Sequence, residues 1–300
     1  VLGAITRLGT EWWWMDSQVY LEFERLGFHI TQDTFYSPLP NIGTVSKLKN
    51  YDHPYEAACR VFEVDVVMEW KKLSRFQDEL ADIQRSESSG YYWDNPFFPN
   101  IDAIAYYGMI RNHQPKLVVE IGSGFSTHIA LRALQKNGTG ELRIIEPHPT
   151  PKLLEIVERT GLGKFYQSVV QDFPAEFFGR LSAGDVLFID SSHVSKLGSD
   201  VNHILFNIFP DLPKGILVHF HDVFLPFEYP KGWIIEKNWS WNEQYLLLAF
   251  LMNNRDYRPV ISNHLLLRKH ANAIKEDLST IVDVGPLSGA SIWLKHLSGD

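Results

Sequence analysis

Leu117-Val118-Val119-Glu120-Ile121-Gly122-Ser123-Gly124-Phe125-Ser126-Thr127 joins a short apolar run to a glycine-punctuated turn, and the helical pattern of residues 128–135 follows at once. A strand buried on both faces reads as a near-continuous apolar run. Glycines at 122 and 124 let the backbone turn sharply and approach a ligand closely, where the helix start offers free N–H groups. Strand, glycine turn and helix predict the opening unit of an α/β sheet. Outward from it, apolar runs alternate with helical patterns, the rhythm of a largely parallel sheet covered on both faces. Residues 142–145, 165–170, 185–190 and 215–221 read as the second to fifth strands, and 258–267 and 290–296 as two more joined by a loop.

The 300 residues are 45% hydrophobic and carry a formal charge of −8, which fits a folded globular protein and shows no footprint for a nucleic-acid backbone. The longest apolar run, 246–252, falls far short of the roughly 20 residues that span a bilayer, so no membrane partner is expected. Cys59, the lone cysteine, fits a reducing, cytoplasmic location. No signal-peptide pattern opens the chain, although its first residue, Val1, is not methionine and leaves targeting open. Residues 1–97, with Trp12-Trp13-Trp14, a proline-punctuated stretch at 35–40 and an amphipathic pattern over 54–85, read as a mainly helical extension. The Ser-, Gly-, Asn- and Pro-rich stretch 86–100 marks the boundary to a main domain at 98–300. The extension either caps the active site or supports a homodimer, and its tryptophans are either buried bulk or an aromatic wall.

A dinucleotide site would carry a third glycine at position 127, where Thr127 stands instead. Glu120 places a carboxylate just before the turn. It repels a pyrophosphate and attracts a cationic ligand such as the methionine moiety of S-adenosylmethionine, so NAD and ATP both fit less well. Glu146, at the end of the second strand, is placed to accept hydrogen bonds from two ribose hydroxyls. Gln171-Asp172 can accept from the adenine amino group.

Residues 118–124, with Glu146, Asp172 and Asp190, resemble the successive motifs of class I S-adenosylmethionine-dependent methyltransferases, over roughly residues 100–297. Phe188-Ile189-Asp190-Ser191-Ser192-His193 with His219-Phe220-His221-Asp222 resembles a bacterial branch related to small-molecule O-methyltransferases. The resemblance implies a Rossmann-like, mostly parallel seven-stranded sheet of order 3-2-1-4-5-7-6. It also implies a donor site made by Glu120, Gly122, Ser123, Gly124, Ser126, Glu146, Asp172 and Asp190. The expected reaction is methyl transfer to a hydroxyl of a small molecule or sugar. Alternatives are metal-dependent C-methylation, a nicotinamide-dependent oxidoreductase on the same scaffold, and a non-catalytic scaffold.

Chemistry is expected where the fourth and fifth strands end. Catechol-type methyltransferases hold a divalent ion at these positions, here Asp190, His221 and Asp222, and the histidine favours Fe, Mn or Zn over Mg. Three readings stay open. A metal is held by His193 and His221 with Gln244 or Glu243 from the next helix start; or His221 or His193 acts as a general base oriented by Asp222; or the cluster caps a helix. His219, deeper in the strand, reads as a core histidine, and the aromatic loop 223–233 as either a lid or a packed surface loop.

Overall fold

The computed structural model describes residues 17–31, 33–49, 51–86, 90–278 and 284–298. The apolar run at its centre forms strand β1 (Leu117–Ile121), buried at every position, and six further strands join it: β2 (Glu141–Ile145), β3 (Gly163–Tyr166), β4 (Val186–Ile189), β5 (Leu217–His221), β6 (Tyr257–Ser262) and β7 (Ser291–His296). The sheet order is β3-β2-β1-β4-β5-β7-β6, with β7 antiparallel to both of its neighbours. Ile121 pairs with Ile189, and Ile189 with Phe220, so β1, β4 and β5 end side by side. The chain order reverses between β1 and β4, which opens a crevice at their carboxyl ends.

Helices α1 (Val66–Ser74), α2 (Asn100–His113), α3 (Phe125–Asn137), α4 (Pro151–Thr160), α5 (Glu243–Asn253) and α6 (Asn263–Asp277) accompany the sheet. Helix α2 is buried from Asn100 to Ile110 and so has no polar face to give it a periodic sequence signature. A Cβ on its Gly108 would lie 2.6 Å from the Leu73 carbonyl oxygen, so glycine lets α2 and α1 meet at backbone distance.

The chain divides into two compact units, 1–49 and 50–300, rather than near residue 97, so the segment 50–97 belongs to the unit that holds the sheet. Within the first unit, Asn41 caps the helix Ile42–Lys47 by accepting from Thr44 N–H at 3.0 Å. Trp12, Trp13 and Trp14 lie outside the described residues. The pattern at 54–85 resolves into short helices because Asp65 starts a new one, its carboxylate accepting from Met68 N–H at 2.9 Å. The third strand sits slightly earlier than expected, at Gly163–Tyr166. The strand expected over 258–267 ends at Ser262, whose hydroxyl accepts from Leu265 N–H and caps α6. The last two strands are therefore joined through a helix rather than a loop alone.

Candidate functional site

Gly122 has φ +85°, and a Cβ there would sit 2.4 Å from the Asp190 carbonyl oxygen, so only glycine lets β1 turn this close to the end of β4. Behind the turn Glu120 is fully buried. Thr127 Oγ1 donates to its Oε2 at 2.6 Å and accepts from Gly124 N–H at 3.1 Å. The residue that displaces a dinucleotide-type glycine thus fixes the carboxylate, while Glu120 Oε1 is buried with no hydrogen-bond partner. Burial foremost pushes the Glu120 carboxyl up to about 8 against hydrogen bonds from Thr127 and Ser126, and the negative Asp190 and Glu146 add to the rise. A buried, half-satisfied carboxyl beside a tight backbone turn suits a cationic ligand.

A cavity of about 450 Å³ lies on this turn, lined by Ser123, Gly124, Phe125, Ser126, Lys152 and Asp190 among others. Glu146 stands half-buried at the end of β2, with one carboxylate oxygen accepting from His148 N–H at 2.7 Å, and does not line that cavity. Asp172 lies in a short 3₁₀ turn, exposed, accepts from the Ser168 hydroxyl and is likewise not in the cavity wall.

At the ends of β4 and β5 four side chains face one another. His193 Nε2 is 3.3 Å from Asp190 Oδ1 and 3.8 Å from Asp222 Oδ2; His221 Nδ1 is 3.6 Å and 3.5 Å from the same two oxygens. Each histidine is backed by a buried carboxyl group. Glu243 Oε2 is 2.9 Å from His193 Nδ1, and Asp102 Oδ2 is 3.7 Å from His221 Nε2. Ser191 Oγ donates to the other Glu243 oxygen at 2.7 Å, while Asn263, Ser291 and the Ala290 N–H donate to Asp102. His193 and Asp222 both hold positive φ, +60° and +53°, a conformation that the surrounding contacts must maintain.

Burial alone would lower both imidazoles, but the carboxylates reverse this: Asp190 and Glu243 bring His193 up to about 10, and Asp222 and Asp190 hold His221 well above the ordinary histidine range. Burial pushes the Asp190 carboxyl up, yet His221 and His193 outweigh it and hold it well below the carboxylate range. His219 is a core residue, as expected, stacked on Phe188 at 4.1 Å and kept neutral by burial and by His221, although neither ring nitrogen has a hydrogen-bond partner.

A cleft of about 1650 Å³ opens from this cluster. Trp233, Trp239 and Trp241, part of α6 and residues 284–290 line it, and Asp190 and Phe97 line both this cleft and the smaller cavity. A closed stack runs outward from the cluster: His193 on Trp241 at 4.3 Å, Trp241 on Trp239 at 4.9 Å, and Lys237 Nζ 4.4 Å from the Trp239 ring centroid. The loop 223–233 is pinned rather than free: Ser262 Oγ donates to Leu225 O, Tyr51 OH to Tyr229 O and Tyr55 N–H to Pro226 O.

The family described as "Methyltransferase domain" matches residues 119–223, from the third residue of β1 to the residue after Asp222. An uncharacterised protein of Archaeoglobus fulgidus is 30% identical over 158 residues, 49% of this chain and 71% of that protein. The chain belongs to the class I S-adenosylmethionine-dependent methyltransferases. Among solved structures, this methyltransferase is similar to the O-methyltransferase TomG of Streptomyces achromogenes, involved in tomaymycin synthesis and solved with S-adenosylmethionine. The two share 14% identity, 86% of this chain and 95% of that one are covered, and the TM-score is 0.44. A methyltransferase of Geobacter sulfurreducens shares 15% identity over 77% of this chain and 90% of its own, with a TM-score of 0.41.

One member of the expected metal-binding set is misplaced. Gln244 is fully buried; its Oε1 accepts from Phe224 N–H at 3.0 Å and its Nε2 donates to Phe227 O at 3.3 Å, so its amide braces the loop after β5 and faces no histidine. Glu243, the alternative at the same helix start, is the residue beside His193. Among the described residues, no group of three or more His, Cys, Asp and Glu side chains is already drawn together around a metal position. The cluster is held by ion pairs. Asp102 on α2 is a contributor that the sequence reading does not name, although an aspartate set among Ile101, Ala103, Ile104 and Ala105 is a signal for it, and Thr127, read there only as a missing glycine, positions Glu120.

Proposed function

We propose that this methyltransferase methylates a hydroxyl of a small molecule or sugar seated in the larger cleft, and that the donor occupies the cavity at the glycine turn. The observation that carries this is Asp190, which lines both spaces and faces His193 and His221. When bound, S-adenosylmethionine supplies an electrophilic methyl group: a C–O bond forms as C–S breaks, and the electron pair stays on sulfur to leave a neutral thioether. Glu120, behind the turn, would attract the donor's ammonium group, and Gly122, Ser123, Gly124 and Ser126 would form its backbone cradle; Glu146 and Asp172 stand outside that cavity's wall and would meet the ribose and adenine where the donor extends beyond it. The walls at Asp190 and Phe97 orient donor and acceptor towards each other, which is most of what methyl transfer needs from a protein.

The acceptor hydroxyl must lose a proton to the cluster and from there to solvent. The carboxylates around both imidazoles hold them above the ordinary histidine range, which works against either ring as the proton acceptor. This favours the metal-assisted reading over the histidine-base one. Asp190, His193, His221 and Asp222 would hold a divalent ion, whose binding displaces the imidazole protons and which would acidify the hydroxyl. His221 fits this role because its buried ring nitrogens lack hydrogen-bond partners, and the carboxyl groups behind both histidines supply the outer support that metal-bound imidazoles have.

Calorimetric titration with S-adenosylmethionine should give saturable binding near one site per chain, lost in Gly122→Ala. Turnover on a panel of hydroxylated compounds should vanish with chelator and return with Mn, Fe or Zn. Failure to bind the donor sinks the proposal; full turnover in chelator sinks its metal component. Because Glu120 must ionise to meet an ammonium group, donor binding below pH 8 should release up to one proton. Titrations in buffers of different ionisation enthalpy measure that release, and Glu120→Gln should abolish it.

A further inference from the structure

The larger cleft has an electrostatic asymmetry that the methyl-transfer chemistry does not require. Its inner end holds the balanced cluster of two carboxylates and two imidazoles. Away from that end the charged groups in its wall are Asp94, Lys237, Arg268 and Lys275. Asp94 is neutralised, accepting from Arg85 Nε at 2.8 Å. Among the described residues, the three cations have no carboxylate within ion-pair distance. Lys237 lies over Trp239, and Arg268 lies 4.7 Å over the Phe227 ring with one N–H donated to Asp52 O at 3.1 Å. These charges stand in a chain whose net charge is −8, so the wall runs against the charge of the whole.

Two of them stand on one element, α6. His264, Leu267, Arg268, Ala271, Lys275 and Leu278 all line the cleft; α6 is broken at His270, whose φ of −135° and ψ of 25° are not helical, so both halves of the helix and its immediate continuation contribute to this wall. Arg268 stands before that break and Lys275 after it, and Leu267 and Ala271 add apolar wall to the same cleft. His264 adds no charge at neutral pH, since burial and then Arg268 push it down to about 4.

We infer that the acceptor carries an oxyanion, bound by Arg268 and Lys275 on α6, in addition to the hydroxyl that is methylated. This rests on the methyl-transfer reading above and narrows its acceptor to anionic hydroxy compounds. The net charge of −8 would by itself disfavour an acidic substrate, and the local charge of this wall overrides it. The guanidinium of Arg268 matches a carboxylate or a phosphate equally in its fork of N–H donors, and Lys275 adds a point charge. Lys237, across the cleft on the tryptophan stack, raises the local potential without being needed for the bond.

The test uses the full chain loaded with S-adenosylhomocysteine and matched probes: glucose, glucuronate and glucose 6-phosphate, mixed at equal concentration and scored by mass spectrometry for retention. Retention of glucuronate or glucose 6-phosphate at least tenfold above glucose, weakened by added salt, is the expected result, and which of the two is kept separates a carboxylate from a phosphate source. Arg268→Ala and Lys275→Ala should each lower that retention about tenfold, and the double variant about a hundredfold. Donor affinity should stay unchanged in all three variants, because neither side chain lines the glycine-turn cavity. Equal retention of charged and neutral probes, retention of none, or no response to the double variant overturns the inference. Loss of donor binding in the unaltered chain would instead bring down the methyltransferase site on which it rests, and the calorimetric titration reads that separately.

Discussion

Asp190→Asn should lower methyl transfer about a thousandfold, roughly 4 kcal/mol of transition-state stabilisation. The amide keeps the shape of the side chain and removes the charge that lies 3.3 Å from His193 and 3.6 Å from His221. The contact that shapes the glycine turn survives, because it is made by the Asp190 backbone oxygen. Donor affinity measured by calorimetry should therefore change far less than the rate of S-adenosylhomocysteine formation. A variant that retained more than a tenth of the parent rate would remove Asp190 from the chemistry.

Glu243→Ala should be the most destabilising single change at the site, by about 3–5 kcal/mol, since it strips a buried partner from a protonated imidazole. Glu243 is 1% exposed and His193 5%, so solvent cannot replace what is lost. The pH dependence has a definite direction. His193 is raised from 6.5 to about 10, so its contribution is complete below about pH 6.5 and disappears as pH rises through 10. Chemical denaturation with chelator present should show the gap between the parent and Glu243→Ala closing over that window. A gap that is constant from pH 6 to 10 would show that the imidazole–carboxylate pair contributes nothing to it. Glu243→Gln, which keeps a hydrogen-bond acceptor for His193 Nδ1–H, should recover part of the stability and lose the pH dependence.

The parts of this fold that were legible in the chain are those where one physical signal acts alone. The strand at 117–121 is buried on both faces and continuous in its apolar residues, and Gly122 is a backbone requirement. The sheet order entered through resemblance to a family. Where two signals compete, the local pattern misleads. Ile261 and Leu265-Leu266-Leu267 read as one apolar run, but Ser262 between them is a helix cap, so strand and helix share it. Helix α2 has burial on every side and therefore no period to detect. The same limit applied to the site: Asp190, His193, His221 and Asp222 could be named from their strand ends, whereas choosing between Glu243 and Gln244 needs the rotation of α5, which neighbouring sequence positions do not reveal. Asp102 reaches His221 across 119 positions of chain, a pairing that tertiary packing alone creates.

The start of α5 has a mechanical meaning. Asn242 and Glu243 N–H groups donate to His193 O, Glu243 holds Ser191 and His193 by its carboxylate, and Gln244 holds Phe224 and Phe227. Three consecutive residues therefore rivet together the two loops that carry the reacting groups. A tilt of this helix shifts both loops as one plate and preserves the spacing between Asp190 and Asp222, while the outer wall on α6 is free to diverge. Variation in this methyltransferase can thus retool what it accepts by altering α6 beyond Asn263, the residue that holds Asp102, without detuning the machinery at the strand ends.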